Sequence, residues 1–217
     1  MVPQVKICCI SSISEAHAAI EAGASAIGLV GQMPSGPGII PDSVIFEIAR
    51  AVPPTIGTFL LSSQTSVKEI IKHHRRTLTN TIQLVDALAG GSYRDLRKAL
   101  PGVKLVQVIH VIDERSVGQA IEVSGQVDAL LLDSGNPDLK VKELGGTGRT
   151  HNWKISRSIC ANVSVPVYLA GGLNPGNVRQ AIAEVQPFGI DVCSGVRTNG
   201  LLDRNKLEEF IQAVRGS

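Results

Sequence analysis

The sequence predicts an α/β fold, a single (β/α)8 TIM barrel over residues 1–217, from the order of its apolar stretches. Short apolar runs alternate along the chain with amphipathic ones, which is typical of parallel strands joined by helices. The runs lack a polar face, as expected for strands covered on both sides. Eight such units in 217 residues suit a small barrel.

Each predicted strand corresponds to one apolar run, and each predicted helix to the amphipathic stretch that follows it. Strands are predicted at residues 5–10, 26–30, 56–61, 81–85, 104–109, 129–133, 167–170 and 190–193. Helices are predicted at residues 14–24, 41–52, 66–76, 92–100, 113–124, 152–160, 177–185 and 203–214. Ser14 and Asn177 are predicted to begin the first and seventh helices, and Gly23 to follow the end of the first. A doubly wound open sheet is the alternative, but no Gly-x-Gly-x-x-Gly motif follows the first strand.

Composition narrows the class of protein. A formal net charge of +2 and only 3% aromatic residues do not favour a nucleic-acid partner. No apolar run reaches the roughly 20 residues that span a bilayer, and the N-terminus lacks the pattern of a secretory signal. We therefore expect a cytoplasmic protein with neither a nucleic-acid nor a membrane partner.

The four cysteines are Cys8, Cys9, Cys160 and Cys193, and their spacing fits no zinc pattern. A reducing cytosol disfavours a structural disulfide. Because neighbouring strand residues point to opposite faces, Cys8 and Cys9 are expected to face different environments.

Glycine-rich loops follow the last three predicted strands. They read "ELGGTGRTHNW", "LAGGLNPGNV" and "DVCSGVRTNG". Loops after the seventh and eighth strands of a barrel commonly bind phosphate, because glycine lets backbone N–H groups approach an anion. The alternative is three ordinary flexible turns. The predicted phosphate site consists of Gly171, Gly172, Leu173, Asn174, Ser194 and Gly195.

Two candidate catalytic groups end strands at the same mouth. Asp133 closes the run "VDALLLDS", where burial can adapt a carboxyl group to general-acid work. A structural or helix-capping aspartate is the alternative. Cys8 holds the matching place on the first strand, and Lys6 is expected on the same face one layer below, where a cation stabilises a thiolate. An inert packed cysteine is the alternative there.

Taken together, the ordered motifs resemble the phosphoribosylanthranilate isomerase family. They are "VKICCI" at residues 5–10, "EAGASAIGLV" at 21–30, "VDALLLDS" at 127–134, "GGTG" at 145–148, "LAGGLNPGNV" at 169–178 and "DVCSGV" at 191–196. The resemblance covers most of the chain. It implies a (β/α)8 barrel that catalyses the Amadori rearrangement of N-(5-phosphoribosyl)anthranilate in tryptophan biosynthesis.

The resemblance implies a role for Cys8 as general base and for Asp133 as general acid, with no metal and no organic cofactor. The further substrate-binding residues that it implies are Lys6, Gln83, Gly146 and Asp191. The partner would be a small phosphorylated substrate, and the protein a monomer or homodimer. A catalytically silent or re-specialised phosphosugar-binding relative is the alternative, which intact Cys8 and Asp133 disfavour.

The chain also departs from the family pattern. Gly38 stands where the family has an arginine, Val85 where it has a histidine, and Cys9 where it has a glycine, so Cys9 is expected to pack outward. Arg197 replaces a glutamate and is predicted to contact the carboxylate or phosphate of the substrate, because a buried anion needs a partner. Other candidates for the missing cation are Arg149, His151 and His110.

Overall fold

A computed structural model describes residues 2–135, 148 and 150–216. Within these residues, eight parallel strands close into a barrel in sequence order, with the first strand paired to the eighth. The strands are β1 (Gln4–Ile7), β2 (Ala26–Val30), β3 (Gly57–Ser62), β4 (Thr81–Leu84), β5 (Lys104–His110), β6 (Ala129–Asp133), β7 (Val167–Leu169) and β8 (Gly189–Val192). The predicted (β/α)8 barrel is confirmed. That one domain extends over residues 1–217 stays a prediction.

Helices connect the strands and cover the outside of the barrel. They are α1 (Ile13–Ala22), α2 (Asp42–Ala51), α3 (Val67–Thr77), α4 (Tyr93–Ala99), α5 (Arg115–Ser124), α6 (Trp153–Asn162), α7 (Val178–Val185) and α8 (Arg204–Arg215). A 3₁₀ turn (Ser194–Val196) and a short hairpin of β9 (Arg197–Thr198) and β10 (Leu201–Leu202) lie between β8 and α8. In the described part of the chain, none of the helices combines the length and the apolarity that crossing a membrane requires.

The helix ends show where local prediction succeeds. Gly23 ends α1 in the left-handed conformation with φ of 115°, as predicted. The cap at the other end of α1 is Ser12, whose hydroxyl accepts from the N–H of Glu15, so the prediction of Ser14 was wrong. Asn177 does precede α7, but its side chain makes no capping bond to that helix.

The strands alternate between two buried layers. Leu60 and Leu130 point outward and pack with the helices, whereas Phe59 and Leu131 point into the barrel. This period of two lines the interior with one residue set from each strand. Lys6 belongs to the interior set and is fully buried.

The first strand is shorter than predicted. β1 ends at Ile7, although the N–H of Cys8 still donates to the carbonyl of Val192 over 2.8 Å. Cys9 then adopts a left-handed backbone with φ of 62°, which lies outside the β region of regular strand residues. The chain turns there and passes towards α1.

Candidate active site

A cavity opens at the carboxyl ends of the strands, where the predicted site residues were expected. Its walls come from the ends of β2, β3, β4, β6 and β8, from the segments after β1 and β2, and from the loops after β6, β7 and β8. Of the predicted residues, those lining it are Cys8, Gln83, Asp133, Gly171, Gly172, Leu173, Asp191 and Ser194. Gly146 and Arg149 lie outside the described residues. Lys6, Asn174, Gly195 and Arg197 are not among the residues that line the cavity.

Cys8 lies at the mouth of the barrel directly after β1, with 5% of its surface exposed. Gly28, on the neighbouring strand, makes room for it. A Cβ atom at Gly28 would fall 2.6 Å from the Sγ of Cys8 and 3.0 Å from the Nζ of Lys6. The predicted placement of Lys6 one layer below Cys8 is therefore confirmed.

Lys6 and Asp191 form a buried ion pair beneath the cavity. Their Nζ and Oδ1 atoms are 2.8 Å apart, and the two residues are register partners on β1 and β8. Burial alone would lower the pKa of Lys6, but Asp191, Cys8 and Cys9 together raise it well above its usual value. Lys6 is thus a permanent cation beside the thiol, and Asp191 is engaged by it.

Asp133 ends β6 and faces the cavity. Burial raises the pKa of its carboxyl group, although the N–H of Ser134, 2.7 Å from Oδ1, acts in the opposite direction. The nearby Asp191 carboxylate also raises it. A carboxyl group with a raised pKa keeps its proton to a higher pH, as a general acid requires.

The loops after β7 and β8 are in direct contact. A Cβ atom at Gly195 would fall 2.0 Å from the carbonyl oxygen of Leu173, so only glycine fits. Asn177 braces the first loop: its Oδ1 accepts from the N–H of Asn174 over 2.9 Å, and its Nδ2 donates to the carbonyl of Gly172 over 2.9 Å.

The predicted phosphate-binding residues differ in whether their N–H groups are already hydrogen-bonded. The N–H of Asn174 is occupied by Asn177 and is not available to an anion. Among the described residues, the N–H groups of Gly171, Gly172 and Leu173 have no hydrogen-bond partner. Gly171 and Gly172 also have left-handed φ values of 86° and 62°, which turn successive N–H groups in an unusual direction. These three residues line the cavity together with Ser194, and we call them the glycine cradle.

Gln83 offers the cavity an unused acceptor. It lies on β4 with 3% of its surface exposed, and its Oε1 has no hydrogen-bond partner among the described residues. A buried amide oxygen without a partner is costly unless a ligand supplies a donor. Its predicted place in substrate binding fits this position.

Cys9 is not where the sequence predicted it. It is 5% exposed and lines the same cavity as Cys8, so the prediction that it packs outward was wrong. Strand alternation fails because the chain leaves the strand before Cys9. A hydrogen bond to Cys193 is the main cause of a raised pKa at Cys9 and of a lowered pKa at Cys193.

Cys193 is a cavity residue that the sequence reasoning missed. The signal was available, because Asp191 and Cys193 are two positions apart and a strand would direct both inward. Three thiols, those of Cys8, Cys9 and Cys193, therefore share one cavity wall.

The candidate cations are placed elsewhere. The guanidinium of Arg197 lies behind Cys8 and Cys9, where it bonds to their carbonyl oxygens and to Glu15. This geometry counts against a contact with substrate. The Nε2 of His110 is 2.9 Å from the carbonyl of Val85, in a groove between α4 and α5.

His151 is not a cation at neutral pH. Its Nε2 is 2.7 Å from the hydroxyl of Ser156, and burial lowers its pKa to about 4. Among the described residues, none that lines the cavity is an arginine, lysine or histidine.

The comparisons with known proteins agree with this geometry. The family model for N-(5'-phosphoribosyl)anthranilate (PRA) isomerase matches residues 5–213. A relative named N-(5'-phosphoribosyl)anthranilate isomerase 2, from Methanosarcina mazei, is 35% identical over 214 residues, covering 98% of this chain and 94% of the relative. An isomerase of the same name from Desulforudis audaxviator is 37% identical and covers 97% of both chains.

Solved structures show the same architecture. Phosphoribosyl anthranilate isomerase from Thermotoga maritima superposes with a TM-score of 0.81 at 28% identity, covering 99% of this chain and all of that one. A phosphoribosyl anthranilate isomerase in complex with reduced 1-(o-carboxyphenylamino)-1-deoxyribulose 5-phosphate has a TM-score of 0.78 at 26% identity, with 99% of this chain and 100% of that one covered.

Proposed function

The chain belongs to the N-(5'-phosphoribosyl)anthranilate isomerase family, and we propose that it performs the family reaction with Cys8 as general base and Asp133 as general acid. The reaction is an Amadori rearrangement of a phosphorylated aminoribose to its 1-deoxyribulose product, a step in tryptophan biosynthesis. The observation that carries the assignment is the meeting of Cys8 and Asp133 in one cavity that also contains the glycine cradle.

The first step opens the sugar ring. Asp133 donates its proton to the ring oxygen while the bond from that oxygen to C1′ breaks. The lone pair of the amine nitrogen then forms the C1′=N bond. Burial favours the acid form of Asp133, and the ring oxygen leaves as a neutral hydroxyl group.

The second step removes the proton from C2′. The thiolate of Cys8 accepts it, the electron pair forms the C1′=C2′ bond, and the charge on nitrogen is neutralised. The permanent cation of Lys6 lies one layer below and stabilises negative charge on the sulfur. The enolamine then tautomerises to the ketone product.

The glycine cradle would hold the 5′-phosphate. Within the described part of the chain, the N–H groups of Gly171, Gly172 and Leu173 have no acceptor, so they can serve as donors without a side chain in the way. The ligand is thus a small phosphorylated molecule. A monomer or homodimer stays the prediction for the assembly.

The experiment is turnover of N-(5-phosphoribosyl)anthranilate by the purified protein, followed through the fluorescence of the anthranilate group. Cys8→Ser and Asp133→Asn should each lower kcat by roughly two orders of magnitude or more, the usual loss when a general acid or base is removed. Cys160→Ser is the matched control, because Cys160 lies half-buried on α6 outside the cavity.

The alternative of a silent phosphosugar-binding relative predicts the opposite outcome in this assay. It requires the unaltered protein to bind the substrate or its reduced product analogue without turnover. Near-normal rates in Cys8→Ser or Asp133→Asn, with an unchanged unfolding midpoint, would refute the assignment of that residue.

A further inference from the structure

The guanidinium of Arg197 lies behind the turn that carries the two adjacent thiols. Its Nη2 donates to the carbonyl of Cys9 over 2.6 Å and to that of Cys8 over 3.3 Å. Its Nη1 donates to the Oε1 of Glu15 over 3.1 Å and to the carbonyl of Gly200 over 3.0 Å. The Arg197 side chain is only 7% exposed, so its bonds to Cys8, Cys9 and Glu15 are partly shielded from water, whereas the bond to Gly200 lies at the surface.

Glu15 fixes the guanidinium in place. Its Oε1 accepts from the N–H of Leu202 over 3.0 Å, and its Oε2 accepts from the N–H of Ser11 over 2.9 Å. Burial opposes its ionisation, but the bonds from Arg197, Leu202 and Ser11 outweigh burial and lower its pKa. Glu15 therefore stays charged and links the end of β1 to the hairpin after β8.

The turn that Arg197 contacts is strained. Cys9 has a φ of 62°, where the Cβ atom of an L-residue approaches the backbone, and a residue other than glycine adopts this region at a cost. Both peptide carbonyls around this strained residue accept bonds from one guanidinium. The conformation of Cys9 in turn sets the direction in which the chain leaves Cys8.

We propose that Arg197, anchored by Glu15, is a positioning residue that holds the left-handed turn at Cys9 and so aims the Cys8 thiol at the substrate. The proposal rests on the proposed role of Cys8 as base. In this role Arg197 does not contact the substrate. Its hydrogen bonds instead offset the strain of having a cysteine, rather than a glycine, at position 9.

The experiment is a comparison of Arg197→Met in three backgrounds: the unaltered chain, Cys9→Ala and Cys9→Gly. Alanine keeps the strain of an L-residue, whereas glycine removes it. In the first two backgrounds Arg197→Met should lower kcat about tenfold, equivalent to about 1.4 kcal/mol, with KM changed less than about twofold. In the Cys9→Gly background the loss should shrink to less than about threefold.

Two results would overturn the proposal. An equal loss in all three backgrounds would show that Arg197 does not support the strained turn, and a change carried by KM would indicate direct substrate contact. Cys8→Ser tests the proposed base separately, because its loss of kcat is expected in every background. If Arg197→Met does not fold, Arg197→Lys replaces it: a lysine can pair with Glu15 but lacks the fork for both carbonyls, so an intermediate kcat with the same background dependence is expected.

Discussion

The buried pair of Lys6 and Asp191 makes the sharpest stability prediction, and the perturbation is Lys6→Met. Methionine keeps most of the apolar stem but removes the ammonium that lies 2.8 Å from the Asp191 carboxylate. The side chains are 0% and 8% exposed, so water can reach the Asp191 carboxylate only from the cavity side and replaces the missing ammonium poorly. The substitution leaves an ionised group uncompensated in the barrel interior.

The magnitude follows from that burial. Removing one partner of a buried pair costs about 3–5 kcal/mol of unfolding free energy. For a chain of this size, each kcal/mol shifts the melting temperature by about 2–4 °C, so we expect Tm to fall by about 6–20 °C. Combining Lys6→Met with Asp191→Leu should recover most of the loss, because no charge then remains unpaired.

The assay is urea and thermal unfolding followed by circular dichroism at neutral pH. Lys104→Met is the matched control: its ammonium lies 3.7 Å from Asp128 and its side chain is 67% exposed. An exposed pair of this kind contributes less than about 1 kcal/mol. If Lys6→Met costs no more than Lys104→Met, or if the double variant is no better than the single one, the reasoning about the buried pair is wrong.

Two further outcomes concern the phosphate loops and the acid. In Gly195→Ala the added Cβ atom would displace the Leu173 carbonyl. We expect kcat/KM to fall about 10- to 100-fold, which is the usual loss when one hydrogen bond to a charged group is misplaced. Gly118→Ala on α5, with open space around it, should leave steady-state rates unchanged, and equal rates in both variants would contradict the cradle. Asp133→Asn should increase stability at pH 7–8 but not near pH 4, as measured by urea unfolding across that range. Since burial raises the folded-state pKa of Asp133, its carboxyl favours folding at low pH and loses that contribution as pH rises through the raised value; a variant less stable than the unaltered protein at pH 8 would contradict this.

Features with a local cause were predictable from the sequence. Apolar runs placed the eight strands to within a few residues, and the period of two put Lys6 and Cys8 on one interior face. Because parallel strands in a barrel end at the same mouth, Cys8 and Asp133 could be brought together without knowing a single contact. Gln83 was placed in the cavity through the family resemblance alone.

Features with a distant cause were not predictable. Local pattern gives no reason for a cysteine to leave a strand in a left-handed conformation, and so the inward position of Cys9 was missed. The contact that Cys9 makes with Arg197 spans 188 residues of sequence. Arg197 looked like a free cation in a loop, while the Glu15 carboxylate that engages it lies in the first turn of α1.

The closure of the barrel explains why these distant contacts gather around the proposed base. β1 and β8 are neighbours only because the sheet closes, and each brings its following loop to the same place. The loop after β8 supplies Ser194 to the cavity, beside the glycine cradle proposed to bind phosphate, and Arg197 to the turn at Cys9. A displacement of that loop would therefore alter phosphate binding and thiol orientation together. Substitutions at Gly195 and Arg197 should for this reason be non-additive, although their side chains serve different parts of the site.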